Sequence, residues 1–356
     1  MEKIKGYMSV IIRPLVTIFI AFIIGGILIA ISGKNPFMAY SALFKGAFSG
    51  NGGFYNTLFC ATPLIYTGIA TAIAFKANIF NMGVEGQLYL GAFTAAYVGA
   101  YVTGLPHIAH VILCLLAAAV VGGLFAAIPG FLKGYLNVDE MVVTIMLNYV
   151  ATLFTGYLAS YPFKAKGVGF AATEIIRTSS ELPRFSRVSQ FNMSFIIAVA
   201  VVIFAYFLFK KTTLGLEIRS IGENRNFAEA NGMNTSLKIV MIMVISGMIG
   251  GIAGAGEILG VHHRFIANFS PGYGWDGMTI ALLGKNNPIG VFIAAIFFGI
   301  LKSGGSTMEL AVGVPRSLIN ILQGLIIFLL AVDLVIKHPR FTALKKSFSK
   351  KVKKEM

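Results

Sequence analysis

The chain has 356 residues, of which 56% are hydrophobic and only 12% are charged. Soluble domains carry about twice that share of charge, so the composition excludes an ordinary soluble enzyme and indicates a polytopic membrane protein. The formal net charge of +15 does not indicate nucleic-acid binding, because Lys and Arg gather at the ends of apolar runs and in the tail at 337–356. The two cysteines, Cys60 and Cys114, lie in apolar runs, so neither a disulfide framework nor a thiolate metal site is indicated.

Long apolar runs predict an all-α membrane protein. Runs of about 17 to 25 apolar residues are long enough to cross a bilayer as helices. About ten spans are predicted, near 14–32, 57–75, 87–104, 108–132, 140–162, 192–209, 239–260, 275–285, 289–304 and 316–336. The eighth run is too short to cross as a lone helix, so it is either half of a broken span or pairs with the ninth. An even number of spans puts both termini on one side, and the Lys- and Arg-rich connections put that side in the cytosol. The predicted external loop 163–191 breaks this charge trend.

The segment that opens the third span is unusually polar. Asn78, Asn81, Glu85 and Gln87 occur there beside three glycines. Ionisable and amide groups at membrane depth are costly unless they face water or another polar group, and glycines permit broken helices. The segment therefore either lines a translocation route or forms a polar turn between two ordinary helices.

Two short motifs indicate an internal repeat. Residues 83–86 read Gly-Val-Glu-Gly, residues 274–277 read Gly-Trp-Asp-Gly, and each motif precedes an apolar helix. Because they lie five predicted spans apart, the two copies would enter the membrane from opposite faces. This arrangement predicts two inverted-topology halves with a substrate route at their interface, although a four-residue match also arises by chance.

An acidic pair and a buried amide mark the fifth predicted span. Asp139 and Glu140 favour the positive N-terminal end of that helix from the cytosolic side. Asn148 falls about two turns further in. It either lines a route or bonds across to a neighbouring helix, as many membrane asparagines do.

The longest charged interruption of the chain lies at 210–238 and predicts a cytosolic loop between two spans. Within it, Glu223–Ala230 contains helix-forming residues, and Gly232 is suited to end a helix. A helix this short is not stable alone in water. The loop is therefore either a solvated connection or a segment that docks on a partner protein.

Catalytic and metal-binding patterns are missing from the sequence. Neither glycine–lysine pair, at Gly33 or at Gly284, completes a nucleotide-binding P-loop. The cluster 262–264 (His-His-Arg) lacks the spacing of a metal site, so a polar surface turn is predicted there. Glu257 and Glu309 are assigned no role. A membrane-embedded enzyme is therefore not indicated, and the chain is predicted to bind no metal or cofactor.

Four segments resemble the membrane permeases of bacterial ATP-binding-cassette (ABC) importers, a family that handles branched-chain amino acids and simple sugars. These segments are NIFNMGVEGQLYLGAF, DEMVVTIMLNYVA, TTLGLEIRSIGENRNFAEANGM and GYGWDGMTIALLGKNNPIG. They occur in family order across most of the chain, and the closest resemblance is to the branch that serves nucleosides through a basic membrane lipoprotein receptor. One departure is that Arg225 follows Asn224, where relatives often have proline.

The resemblance implies that 1–356 is a single permease domain, with a coupling loop at 210–238 and a basic cytosolic tail at 337–356. The short helix would dock on a separate cytosolic ATPase that binds and hydrolyses ATP. A second permease, identical or related, would complete the pore in the bacterial plasma membrane. An extracytoplasmic lipoprotein would deliver substrate to the loops 163–191 and 261–274. The residues expected to contact the ATPase are Glu223, Asn224, Arg225, Phe227, Ala228, Glu229 and Gly232.

The sequence thus predicts a permease subunit of an ATP-driven importer, with nucleosides as the expected substrates. Simple sugars and branched-chain amino acids remain alternatives. The expected substrate route is lined by Asn78, Asn81, Glu85, Asn148, Trp275 and Asp276. A secondary transporter that couples Glu85 or Asp276 to a proton or sodium gradient is the rival from another class, since buried acids fit it equally well.

Overall fold

A computed structural model describes residues 19–336 of the chain. The predicted tail at 337–356 and the first part of the predicted span 14–32 lie outside the described residues. Within 19–336 the chain is helical, and only two isolated β-bridges occur. The helices are α1 (Phe19–Ile31), α2 (Pro36–Phe48), α3 (Gly50–Lys76), α4 (Val84–Tyr101), α5 (His107–Leu136), α6 (Glu140–Ser160), α7 (Ser194–Lys211), α8 (Thr213–Glu223), α9 (Arg225–Ala230), α10 (Thr235–Glu257), α11 (Tyr273–Leu283), α12 (Pro288–Val312) and α13 (Arg316–Ile336).

The all-α membrane architecture is confirmed, but the count of ten spans is not. Among the described residues, six helices are long and apolar enough to cross a membrane, and α1 with α2 makes a seventh if that pair, bent by 119°, counts as one span. The predicted run 275–285 forms α11, whose 11 residues are too few to cross about 30 Å of hydrocarbon. Helix α4 is not among the six, and it carries Glu85 and Gln87 in its first turn.

The chain divides into two compact units. One consists of the described parts of 1–46 and 304–356, and the other is 47–303. In the smaller unit the Tyr40 hydroxyl donates to the Phe22 carbonyl at 2.6 Å. The larger unit contains every residue of the candidate site described below.

Helix α10 lies at the centre of the larger unit, where it packs against α3, α4 and α5. Glycines permit the closest approaches. A Cβ at Gly122 of α5 would lie 3.0 Å from the Gly251 Cα of α10, and Gly91 of α4 faces the Gly251 backbone from another side. Small residues let membrane helices pack backbone to backbone, so α4, α5 and α10 form one tightly packed group.

The two predicted external loops are ordered and lie against each other. Backbone hydrogen bonds join Thr173 N to Phe265 O at 3.0 Å and Ile176 N to His263 O at 2.9 Å. A third joins Leu182 N to the Leu259 carbonyl at 2.8 Å. The segment 163–191 is therefore a folded cover on the residues 259–265 that follow α10, rather than a free connection.

The predicted cytosolic loop contains two helices where the sequence predicted one over Glu223–Ala230. Helix α8 buries Ile218 and Ile221, and it ends at Glu223. The Asn224 side chain accepts a hydrogen bond from Phe227 N at 3.0 Å and so caps the start of α9. Glu223 therefore belongs to α8, and the short helix begins two residues later than predicted.

Candidate functional site

The two repeat motifs are in direct contact. Glu85, in the first turn of α4, is 7% exposed, and its Oε2 accepts a hydrogen bond from the backbone N–H of Gly274, in the first turn of α11, at 2.5 Å. A Cβ at Gly274 would lie 2.5 Å from the Glu85 backbone nitrogen, so only glycine fits there without a shift. Unpaired N–H groups at a helix start attract a carboxylate. The first turns of α4 and α11 thus form a junction, which we call the α4–α11 junction.

Asp276 is held by a residue that sequence reasoning missed. Its Oδ2 lies 2.7 Å from the Lys302 Nζ of α12, and that ammonium group lies 5.7 Å from the centre of the Tyr273 ring. A single lysine inside a long apolar helix was the available signal, because charged groups at membrane depth are rare and are usually paired or functional.

A third acid is buried at the end of α10. This acid, Glu257, is 4% exposed, and its carboxylate lies 3.9 Å from the His262 Nε2. The sequence assigned no role to Glu257, because a lone acid near a span end carries no partner information.

Two of the predicted route residues are fully engaged with the protein. Asn81 donates to the Ser246 hydroxyl at 2.8 Å and accepts from Gly83 N at 3.0 Å. Asn148 accepts from Gly86 N at 2.8 Å and donates to the Met82 carbonyl at 2.6 Å. Both amides hold the turn that leads into α4, and Asn148 bonds across to a neighbouring helix; a role of either residue in lining a route stays a prediction.

The remaining predicted route residues differ in their exposure. Asn78 is exposed in the turn after α3, with a φ of 58°, a conformation that asparagine tolerates better than most residues. Trp275 is 39% exposed on the first turn of α11, so part of its ring surface is free to stack. The structure therefore brings Glu85, Trp275 and Asp276 together at the α4–α11 junction, while Asn78 lies in a separate turn.

A polar cavity of about 540 Å³ opens beside the predicted external loops, and it was not anticipated from the sequence. Within it, an Arg184 Nη lies 2.9 Å from the His263 Nε2. Burial is the main cause that lowers the pKa of His263, Arg184 lowers it further, and Glu181 acts in the opposite direction. The cavity is lined by His107, Thr178, Glu181, Leu182, Pro183, Arg184 and His263. Over the described part of the chain, no three His, Cys, Asp or Glu side chains group as metal ligands.

The residues predicted to contact an ATPase lie on two sides of α9. Phe227 is 64% exposed and Ala228 is 0% exposed, while Glu223, Asn224 and Glu229 are also exposed. Gly232 follows the helix, exposed, with a φ of 81°. Arg225 is directed toward the membrane helices, as described below. In this chain Ala228 therefore packs inward and Phe227 presents the free apolar surface.

Comparisons with known proteins extend over almost the whole chain. Residues 53–331 match the family model described as branched-chain amino acid transport system / permease component. The guanosine ABC transporter permease protein NupP of Bacillus subtilis is 34% identical, over 93% of this chain and 95% of its own. The nucleoside ABC transporter permease protein NupB of Lactococcus lactis is 30% identical, over 96% of this chain and 97% of its own. The glucose ABC transporter permease protein TsgB13 of Haloferax volcanii is 33% identical, over 92% of this chain and 88% of its own. No solved structure matches the chain.

Proposed function

The chain belongs to the family of branched-chain amino acid transport system permease components, and on that premise we propose that it forms the nucleoside route of an ABC importer together with a second permease. As a family member it is a multi-pass membrane transport subunit and not an enzyme. The observation that carries the proposal of a route is the α4–α11 junction, where Glu85, Asp276 and Lys302 form a charged group between apolar helices.

Nucleosides are the proposed substrates because two nearly full-length relatives carry guanosine or nucleoside in their names. The chemistry of the junction is compatible with this choice. Carboxylates of Glu85 and Asp276 can accept hydrogen bonds from ribose hydroxyls, and the exposed part of Trp275 can stack on a base. Glucose is the second candidate, because a relative named for glucose transport is equally similar. Sugar hydroxyls would suit the same carboxylates, but sugars would make less use of Trp275.

Two inverted halves form part of the proposal, and ten crossings would require another segment to complete α11, because its 11 residues are too few to cross alone. Helix α3 packs against α11, and α10 packs against α4. The long helix α3, which precedes the first acid motif, therefore contacts α11, which begins with the second motif. The long helix α10, which precedes the second motif, contacts α4, which begins with the first. These reciprocal helix contacts, together with the contact between the two motifs, support two inverted halves related by an approximate two-fold axis. In such an arrangement the route would lie at the interface of the halves.

The proposed partners are those of an ABC importer, and the exposed and ordered surfaces of the chain support them. Helix α9 would dock on a cytosolic ATPase through Phe227, with ATP bound on that partner and no cofactor on this chain. An extracytoplasmic lipoprotein would meet the folded cover made by 163–191 and 261–274. In this arrangement the chain is one permease domain of the plasma membrane with the coupling segment at 210–238, and both termini are cytosolic.

Uptake by the reconstituted transporter tests the function. Proteoliposomes that contain this permease, its second permease and its ATPase are supplied with the lipoprotein receptor and with labelled guanosine or labelled glucose. We expect guanosine uptake that needs internal ATP and withstands an ionophore. Uptake of glucose without uptake of guanosine would make glucose the substrate in place of nucleosides. Gradient-driven uptake by this protein without the ATPase would support the secondary-transporter alternative and refute the importer.

A further inference from the structure

One arginine joins three helices on the side of the predicted cytosolic loop. The Arg225 Nε lies 3.0 Å from the Glu229 Oε1 of its own helix and 3.3 Å from the Thr235 hydroxyl oxygen in the first turn of α10. Its Nη2 donates to the Gly134 carbonyl in the last turn of α5 at 3.3 Å. The Thr235 hydroxyl also donates to Glu229. A guanidinium is suited to this task, because its planar fork presents several donors at fixed angles.

The two helices that Arg225 reaches are closely packed together. Gly134 of α5 faces the Ser236 backbone of α10, with the Ser236 Cα 3.4 Å from where a Cβ would lie, and one turn along α5 a Cβ at Gly130 would lie 3.1 Å from the Val240 Cα. Packed interfaces of this kind deform little and transmit displacement. Helices α5 and α10 are therefore expected to move together when the ends next to α9 are displaced.

The same pair leads to the candidate site. The Ser246 hydroxyl of α10 accepts from Asn81 in the turn before α4, and the backbone of Gly251 meets Gly91 of α4. Helix α4 carries Glu85 in its first turn. A continuous set of contacts thus runs from Arg225 through α10 to the α4–α11 junction.

We propose that Arg225 is a positioning residue that fastens α9 to the α5–α10 pair, so that a displacement of α9 moves both membrane helices. The proposal rests on the proposed function, in which α9 docks on an ATPase. It assigns Arg225 to the inner side of the helix, away from the ATPase, whereas Phe227 faces outward. A proline at this position would fit the first turn of a helix equally well but would donate no hydrogen bond to Thr235 or Gly134.

The fastening is tested first in the permease alone, by hydrogen–deuterium exchange of 225–236 in Arg225→Ala and Arg225→Lys. Arg225→Ala should exchange faster across α9 and the first turn of α10 by about fivefold or more, and Arg225→Lys, which keeps one charged donor, should lie between it and the wild type. Asn226→Ala, a change at an exposed residue on α9, is the matched control and should not differ from wild type. Unchanged exchange in Arg225→Ala would overturn the fastening role, whether or not an ATPase binds.

The functional consequence is measured in the full transporter as substrate taken up per ATP hydrolysed. Arg225→Ala and Arg225→Pro should still capture the ATPase, with ATP hydrolysis maintained and uptake per ATP reduced about fivefold or more. Loss of ATPase capture in these variants would overturn the proposal, because Arg225 would then be a docking contact. Wild-type uptake per ATP would also overturn it. A wild-type permease that never captures an ATPase would instead refute the proposed function, and the exchange result would still decide the fastening.

A charge swap separates the fastening from an ordinary ion pair within the helix. Arg225→Glu combined with Glu229→Arg restores the attraction between the two side chains but removes the donor to the Gly134 carbonyl. We expect the double variant to remain as uncoupled as Arg225→Ala. Full recovery of uptake per ATP would show that only the pair within α9 matters and would overturn the link to α5.

Discussion

The Glu85 carboxylate accepts a hydrogen bond from Gly274 N across a sequence separation of 189 residues. Both residues lie in the first turns of their helices, so the bond joins two helix starts. The bond also brings Asp276 and its partner Lys302 to the same place. The proposed route depends on this contact, because the contact joins the two proposed halves and brings the polar side chains of the α4–α11 junction together.

The close approach at Gly274 should not tolerate a side chain. Gly274→Ala places a Cβ 2.7 Å from the Glu85 Cα, and overpacking of this kind costs about 1–3 kcal/mol. We expect a lower melting temperature in detergent and a loss of uptake. Gly156→Ala in α6 is the matched control, because no atom lies within 4 Å of the added Cβ; it should leave both quantities unchanged or raise stability by up to about 1 kcal/mol.

For uptake, the hydrogen-bond acceptor of the residue 85 side chain should matter more than the volume of that side chain. Glu85→Gln keeps an oxygen that can accept from Gly274 N but loses the charge, whereas Glu85→Ala leaves the N–H buried without that partner. A buried donor left without a partner costs about 1–3 kcal/mol, so Glu85→Ala should weaken the α4–α11 junction, and loss of the carboxyl group proposed to contact substrate should reduce uptake at least about tenfold. Membrane assembly and ATPase capture, measured by copurification, should persist in both variants. Normal uptake by Glu85→Ala would remove this residue from the route.

The ion pair between Lys302 and Asp276 should behave as a unit. Lys302→Met or Asp276→Asn breaks this ion pair in a half-buried place, which we expect to cost about 2 kcal/mol, less than the cost at a fully buried pair. The double variant should be more stable than the sum of the two single changes predicts. Thermal unfolding of the four proteins gives the coupling free energy, and strict additivity would show that the two groups do not depend on each other.

Packing of the folded cover formed by 163–191 should weaken in acid. Burial first, and then Arg184, lowers the pKa of His263 below its ordinary value of 6.5. A histidine of this kind stays neutral in the folded loop while the opened loop takes up a proton, so stability is lost as the pH falls from 6.5 toward the lowered pKa. Hydrogen–deuterium exchange of 163–191, corrected for the intrinsic rate, should increase between about pH 7.5 and about pH 5.5.

His263→Asn removes the titrating group and keeps a residue that tolerates the φ of 55°. In this variant the increase in exchange at low pH should be much smaller. His107→Gln, in the same cavity, is the control and should keep the wild-type response. An equal acid response in all three proteins would assign the effect to another group.

Much of the candidate site could be anticipated from the sequence, because polar residues in apolar runs are informative by themselves. Glu85 and Asp276 were recognised in this way, but their partners were not, since Gly274 N and Lys302 are brought near only by helix packing. For Asn81 and Asn148, the sequence could not decide between lining a route and holding a turn, because both uses need the same amide. Their hydrogen bonds show that both amides hold the turn before α4, and their role in lining a route stays a prediction.

The secondary structure was anticipated unevenly for similar reasons. Helix α8 was missed because its charged residues resembled a loop, although Leu214, Ile218 and Ile221 recur at helical spacing. The sequence predicts that Ala228 contacts an ATPase, but its side chain is buried in this chain. A six-residue segment does not reveal which of its faces packs against the membrane helices. The number of crossings could not be fixed, because the short α11 and the bent α1–α2 pair do not follow a rule of one apolar run for one span.

Capture of an ATPase through the exposed face of α9 tests the central claim most directly. Phe227→Cys and Ala228→Cys are expressed in membranes with the candidate ATPase, mildly crosslinked and copurified. We expect Phe227→Cys to capture a P-loop ATPase and Ala228→Cys, with its buried side chain, to capture little or none. Absence of any crosslink through Phe227→Cys, together with gradient-driven uptake by the protein alone, would contradict the importer and leave a secondary transporter in its place.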